Sequence, residues 1–299
     1  MKHTSEQAMA KINLCLDVTG KRANGYHEID GIMQSITLSD LITVGFEEGE
    51  ETEIRLSAEG NPDMPTDSRN LAWRAAEKLL DAAAVCGLVE IHIQKRIPMA
   101  GGLAGGSTDA AAVLRALNRL LPKPLSIERL CEIGGRLGAD VPFCVVGGAM
   151  RTRGIGDILT PVPSMPDCHL VIARRGEGVS TPWAYGKLDE IYADFADRSL
   201  CPDSGLKRLL GALEEGNLEG VCASVYNIFE DVVAKEKPDV TAIRREMLLR
   251  GALVSRMSGS GPCVFGIFDC EQAATSARDS LQSLGADAFV CAPFAQNFS

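Results

Sequence analysis

Four glycines fall within six residues of the run Pro98-Met99-Ala100-Gly101-Gly102-Leu103-Ala104-Gly105-Gly106-Ser107-Thr108-Asp109, which leads directly into Ala110-Ala111-Ala112. Glycine lacks a Cβ, so successive backbone N–H groups can converge there, and the unpaired N–H groups of a following helix add partial positive charge. Such a turn is an anion cradle, and phosphate is its natural guest. Two common phosphate loops do not fit it. A Walker loop needs Lys then Ser or Thr after its last glycine, where this chain has Ser107-Thr108-Asp109, and no frame across Gly101 to Gly106 gives G-x-G-x-x-G. A linker or a tight helix entry is the plain alternative, but neither requires so many glycines at their entropic cost.

Other side chains of chemical interest are scattered along the chain. Lys11 and Asn13 sit two apart in an alternating run and point the same way; taken alone, Lys11 reads as a solvated edge lysine. Asn24-Gly25 is a turn dipeptide that projects Tyr26 and His27 outward. An aromatic ring beside an imidazole suits a pyrimidine, the ring stacking on the base and the imidazole hydrogen-bonding its edge, although a packed Tyr-His pair would look the same. Asp140, between Gly138-Ala139 and Val141-Pro142, reads on its own as an N-cap or turn aspartate. Ser107 and Thr108 open the expected helix, where their hydroxyls either cap backbone donors or reach a phosphate oxygen or magnesium. Ser258-Gly259-Ser260-Gly261 is compatible with an ordinary hairpin connection.

These residues need elements to hold them. Ile12, Leu14, Leu16 and Val18 alternate with Lys11, Asn13, Cys15 and Asp17, which predicts a strand with one core face and one polar face. Strands are expected at Leu41 to Phe46, Glu53 to Ser57 and Val89 to Gln94, with helices from Asn70 to Ala84, Ser107 to Leu121 and Ser126 to Leu137. Phe143 to Val146 reads as a strand after the Asp140 turn. Pro161, Pro163 and Pro166 mark the best candidate boundary, giving domains 1–162 and 163–299. Beyond it the pattern predicts a strand at His169 to Ala173, helices within Ser204 to Glu215, Leu218 to Ala234 and Val240 to Arg250, and two strands around the second glycine turn. A helix from Ala273 to Leu284 and a strand from Ala288 to Ala292 complete it. Thr181-Pro182 reads as an N-cap followed by proline at the first helical position. Strands and helices mix without a βαβ rhythm, so the expected class is α+β.

Composition narrows the function classes. At 299 residues with 45% hydrophobic and 23% charged content, the chain can bury a large core and is an ordinary globular sequence. Its net charge of −10 argues against nucleic acid as a partner, so an anionic substrate has to be met by local positive charge. The 10 cysteines include no C-x-x-C pair and read as reduced, mostly buried thiols, and the 4 histidines are far apart, which gives no metal-ligand pattern. No run approaches the roughly 18 apolar residues of a membrane span, and no signal core opens the chain, so the expectation is a cytoplasmic protein without membrane contact.

The motifs together carry a resemblance. Pro98 to Ala112 resembles the central motif of the kinase superfamily that includes galactokinase, homoserine kinase, mevalonate kinase and phosphomevalonate kinase, and Ala10 to Leu14 and Ser255 to Phe265 resemble its flanking motifs in the same order. Gly20 to His27 and Leu137 to Phe143 resemble the branch that phosphorylates 4-diphosphocytidyl-2-C-methyl-D-erythritol. The resemblance implies an N-terminal ATP-binding domain like the second domain of ribosomal protein S5, a C-terminal ferredoxin-like domain on the substrate side, and an active site in the cleft between them.

It also implies roles for individual residues. ATP with Mg2+ is the expected cofactor, held by Pro98, Gly101, Gly102, Leu103, Ala104, Gly105, Gly106, Ser107 and Thr108, with Ser107 as the contact to the metal. Asp140 is implied to accept or polarise the acceptor proton, and Lys11 to lower the acceptor hydroxyl's pKa and keep Asp140 ionised. Asn13, Tyr26, His27, Thr181, Tyr185, Ser258 and Gly259 are implied on the substrate side, Tyr26, His27 and Tyr185 at the cytosine. Asn70, with Asp67 and Ser68, bears a looser resemblance to adenine contacts. Ala100 and Ala104 stand where some members have glycine, and Met9 where proline is frequent. The competing expectations are a relative acting on mevalonate, phosphomevalonate or homoserine, and a nucleotide- or RNA-binding module without catalysis. The expected partner is a small molecule, and the expected assembly is a monomer or homodimer.

Overall fold

The structure, a computed structural model, describes residues 1–192, 195 and 204–295. It divides into two compact units, the first made of 1–10, 39–97 and 104–147 and the second of 11–38, 98–103 and 148–299. Two long strands, β1 (Lys2–Lys21) and β2 (His27–Glu48), contribute segments to both. The apolar alternation predicted only the middle of β1 and the end of β2. Within the remainder of β2, Asp30, Gly31, Gln34, Ser35 and Asp40 break the period, which is why the strand was not visible there. The polar side of β1 is not solvated as expected, since every residue from Ala10 to Val18 is buried, Lys11 and Asn13 included.

In the first unit, β4 (Gly87–Gln94) pairs antiparallel with β2 over Leu41–Glu48 and parallel with β3 (Glu53–Glu59). Between β3 and β4 runs α1 (Leu71–Ala83), capped by Asn70, whose side chain accepts from Ala72 N at 2.9 Å. Next comes α2 (Gly105–Leu120), whose consecutive buried residues Ala110 to Leu114 show a helix enclosed on most sides. It packs on α1, α3 (Ile127–Gly135) and α4 (Val141–Val146). Expected as a strand, Phe143 to Val146 is instead the body of α4; a short buried apolar run carries no period to separate the two.

In the second unit, β5 (Ala149–Gly154) pairs with β2 over Ile29–Gln34 and with β6 (Ile158–Pro161). A separate sheet has the order β11 (Asp287–Cys291), β7 (His169–Arg174), β10 (Val264–Phe268), β9 (Val254–Met257), antiparallel throughout. With α9 (Pro238–Leu249) between β7 and β9, and α10 (Glu271–Ser283) between β10 and β11, this is the ferredoxin-like βαββαβ arrangement expected. Val171, Ala173, Met247, Phe268, Ala277 and Leu281 join its core.

Among the described residues, four further helices lie between β7 and α9: α5 (Thr181–Ile191), α6 (Leu206–Glu214), α7 (Leu218–Ser224) and α8 (Glu230–Glu236). The single helix expected from Leu218 to Ala234 is broken, because Tyr226 and Asn227 form β8, which pairs parallel with Cys15 and Leu16 of β1. Ser180 occupies the N-cap of α5, so Thr181 is its first helical residue rather than its cap. Residues 162 and 163, where the domain boundary was expected, both lie inside the second unit.

Candidate functional site

On β1, Lys11 Nζ donates to Asn13 Oδ1 at 2.6 Å, and both side chains are buried. A buried ammonium needs a polar partner, and the i, i+2 spacing supplies one on the same face. Lys11 N donates to Leu103 O at 3.2 Å, Asn13 N donates to Ser258 Oγ at 3.2 Å, and Ser258 Oγ donates to Gly102 O at 3.0 Å. The strand, the front of the glycine turn (98–103) and the Ser258 turn are thereby knitted together within the second unit. The glycines answer to steric demand: Gly102 has φ +80°, and a Cβ on it would collide with the Ser258 carbonyl, while a Cβ on Gly101 would strike Cys263 Sγ.

Two residues that the sequence did not single out brace the Ser258 turn. Asn227 Nδ2 donates to Met257 O at 2.7 Å and to Gly259 O at 2.8 Å, and its Oδ1 accepts from Phe229 N at 2.9 Å. Glu230 Oε2 accepts from Met257 N at 2.6 Å, with Arg244 at 2.9 Å from its other oxygen. Burial pushes the Glu230 carboxyl up, against the opposing pull of that N–H and the arginines. Thr181 lies exposed, its hydroxyl 2.9 Å from Ser260 Oγ, so it borders the same turn.

Ala100 and Ala104, the departures from glycine, both adopt left-handed backbone, at φ +53° and +59°. Ala104 is the N-cap of α2 and makes no side-chain cap bond; the first bond into the helix runs from Thr108 N to Ala104 O at 2.9 Å. The helix thus leaves the N–H groups of Gly105, Gly106 and Ser107 unused by its own ladder, which fits a phosphate. Since the helix opens at Gly105, Ser107 and Thr108 lie within its first turn, and neither is its cap. Thr108 Oγ1 is buried without a hydrogen-bond partner.

Beneath this helix end lies an ionic cluster. Lys95 Nζ donates to Asp40 Oδ2 at 2.6 Å, to Asp109 Oδ2 at 2.7 Å and to Gly105 O at 3.3 Å, and Asp40 Oδ1 accepts from the N–H groups of Arg96 and Ile97. Burial is the main force pushing the Asp109 carboxyl up to about 7, with Lys95 opposing and Asp40 assisting. Nothing local in the sequence announces the cluster, because Asp40 and Lys95 are 55 residues apart.

Asp140 stands at the N-cap position of α4 in helical backbone, and its side chain makes no cap bond. Its carbonyl accepts from Cys144 N at 3.0 Å, so only its backbone serves the helix. The turn before it lies close to Ser107: a Cβ on Gly138 would come within 3.9 Å of Ser107 Oγ.

Tyr26 is 60% exposed beside the turn, whereas His27 is buried. The His27 ring stacks on Tyr185 with centroids 4.6 Å apart, meets the edge of Phe195 at 5.6 Å, and its Nε2 lies 2.7 Å from Asp189 Oδ1. Asp189 Oδ2 also accepts from Lys21 Nζ at 2.6 Å. Tyr185 itself meets Phe229 edge-on at 4.8 Å. Among these partners, Asp189 was not foreseen. Asn70 uses its side chain locally, accepting from Ala72 N and donating to Pro65 O at 2.8 Å.

The chain matches the family of GHMP kinases N terminal domains over residues 70–148 and that of GHMP kinases C terminal domains over residues 209–287. A 4-diphosphocytidyl-2-C-methyl-D-erythritol kinase of Alkaliphilus metalliredigens is 42% identical over 284 residues, covering 95% of this chain and 94% of the relative. That of Acetivibrio thermocellus is 42% identical over 97% of this chain and 99% of its own. A crystal structure of 4-(cytidine 5'-diphospho)-2C-methyl-D-erythritol kinase superposes with a TM-score of 0.80 at 31% identity, covering 98% of this chain and 100% of the other. A homoserine kinase from Cytophaga hutchinsonii, 17% identical with a TM-score of 0.74, shares the fold, covering 99% of this chain and 95% of its own. Near full-length identity at this level leaves one assignment: the chain belongs to the 4-diphosphocytidyl-2-C-methyl-D-erythritol kinase family of GHMP kinases.

Proposed function

We propose that this chain transfers the γ-phosphoryl group of ATP to the 2-hydroxyl of 4-diphosphocytidyl-2-C-methyl-D-erythritol, giving the 2-phosphate and ADP in the non-mevalonate route to isoprenoid precursors. The observation that carries the reading is the 42% identity, over nearly the whole chain, to relatives bearing that name. The residues suit it. Unused N–H groups of Gly105 and Gly106 and the glycine turn receive phosphate oxygens, and Ser107 and the unpartnered Thr108 hydroxyl are the groups for Mg2+ or a phosphate oxygen. When bound, ATP supplies the phosphoryl group and Mg2+ neutralises its developing charge.

Lys11, fixed by Asn13, polarises the acceptor hydroxyl, and Asp140, whose carboxylate serves no cap, takes its proton. Ser258 and Gly259 hold the acceptor, with Thr181 beside them. Tyr26, His27 and Tyr185 receive the cytosine, which mevalonate, phosphomevalonate and homoserine lack. The acidic balance of −10 and the paired Lys11 and Asp140 roles favour catalysis over RNA binding. We place the enzyme in the cytoplasm as a monomer or homodimer. ADP formation with each candidate acceptor tests the reading: transfer to the cytidyl compound is expected, and transfer to mevalonate but not to that compound overturns it.

A further inference from the structure

We propose that Asp189 makes this site specific for cytosine over uracil by fixing the tautomer of His27. The inference rests on the reading above, in which the substrate carries a cytosine base. His27 is held on three sides: Tyr185 covers a ring face at 4.6 Å, the edge contact with Phe195 is at 5.6 Å, and Nε2 lies 2.7 Å from Asp189 Oδ1. A carboxylate oxygen only accepts, so Nε2 is the protonated nitrogen, and the neutral ring then presents Nδ1 as a lone-pair acceptor. Nδ1 has no hydrogen-bond partner among the described residues and is not one of their buried unpartnered atoms. Asp189 stays ionised for this task. Burial works against its charge, but hydrogen bonds from Lys21 and His27 outweigh burial and hold the carboxyl below the usual range.

The consequence follows from base chemistry. Cytosine differs from uracil where the 4-amino group, a donor, replaces the 4-oxo group, an acceptor. An Nδ1 acceptor pairs with the amino group and opposes the carbonyl with lone pair against lone pair, so one proton's position on His27 separates the two bases. Sites that read a polar group in this way reject the mismatched analogue because a buried polar atom is left unpaired. Lys21 has a part as well. Its ammonium donates to Asp189 Oδ2 at 2.6 Å, and so dictates which end of a carboxamide replacing Asp189 would face it.

That last point gives the experiment. In Asp189→Asn, Lys21 keeps the amide oxygen on its side, the NH2 group faces Nε2, and the His27 proton moves to Nδ1. The ratio of kcat/KM for the cytidyl substrate to that for its uridyl analogue is expected to fall by on the order of 10- to 100-fold relative to wild type. Titration with cytidine and uridine diphosphates is expected to show the same shift in binding. Asp189→Asn with Lys21→Met, in which the amide is free to turn, is expected to recover part of the cytosine preference, which a merely structural loss would not do. An unchanged ratio in folded Asp189→Asn overturns the proposal, as does a wild type that uses both bases equally. A wild type that phosphorylates neither compound overturns the kinase reading instead. Should the variant not fold, 15N NMR of histidine-labelled wild type decides: His27 Nδ1 unprotonated is the expected result, and Nδ1 protonated with Nε2 free overturns it.

Discussion

Lys11 and Asp140 are unusual for what they do not do. An ammonium 4% exposed on a strand has no solvation to gain, and among the described residues its one side-chain partner is the neutral amide of Asn13. Asp140 sits where an aspartate normally caps a helix, yet its carboxylate caps nothing. These are the free charges that the proposed catalytic roles require. Lys11→Met preserves the stem while deleting the charge, and Asp140→Asn preserves shape. Each is expected to lower kcat by roughly 10²- to 10⁴-fold, with stability at Asp140→Asn changed by no more than about 0.5 kcal/mol. Turnover near normal removes the residue from the mechanism; a large fall in the denaturation midpoint of Asp140→Asn would mean that the side chain is structural after all.

At the scale of elements, turns rather than helices carry the precision. Asn227, on a two-residue strand, donates to two carbonyls of the Ser258 turn and accepts from Phe229 N, all buried. Replacing it by alanine leaves three backbone groups without their partner, so Asn227→Ala is expected to cost about 2–3 kcal/mol and to raise KM for the acceptor more than for ATP, read from urea unfolding and steady-state kinetics. Unchanged stability would show the turn to be self-supporting. The glycine turn offers the opposite case. Ala104 holds a left-handed backbone that costs an L-residue roughly 1–2 kcal/mol, partly offset by the flexibility glycine adds to the unfolded chain. Ala104→Gly is therefore expected to stabilise the protein by up to about 1 kcal/mol in the same unfolding measurement, and a destabilisation would show that the Ala104 methyl is packed to advantage.

Across the molecule, what the sequence disclosed is what depends on neighbours in the chain. The glycine turn, the Lys11-Asn13 pair and the Tyr26-His27 pair are local patterns, whereas alternating periods gave only individual strands and helices, and the ferredoxin-like order was expected from the family resemblance. Asp189 was hidden because it lies 162 residues from His27, and the Lys95 cluster because Asp40 and Lys95 meet only when β2 pairs with β4. The strand misread at Phe143 and the helix broken at Tyr226 were lost to burial and to a two-residue pairing, neither of which leaves a period.

The Lys95 cluster has a consequence for the stability of the whole chain. With Asp109 raised to about 7, the folded state holds a proton that the unfolded state releases near the ordinary carboxylate value of 3.8. Between those values the folded form binds more protons, so this group's contribution to stability falls as pH rises, by at most about 1.4 kcal/mol per pH unit, and levels off above 7. Below the window both states are protonated and the contribution is whole. Above it Lys95 faces two buried carboxylates with one positive charge, and Asp109 Oδ1 has no donor. In Asp109→Asn the Lys95–Asp40 pair remains and the excess negative charge is gone. The stability of this variant relative to wild type is therefore expected to improve steadily from pH 4 to pH 7 and then stay constant, in urea titrations across that range. A difference independent of pH would mean that Asp109 is ionised throughout, its proton already displaced by Lys95.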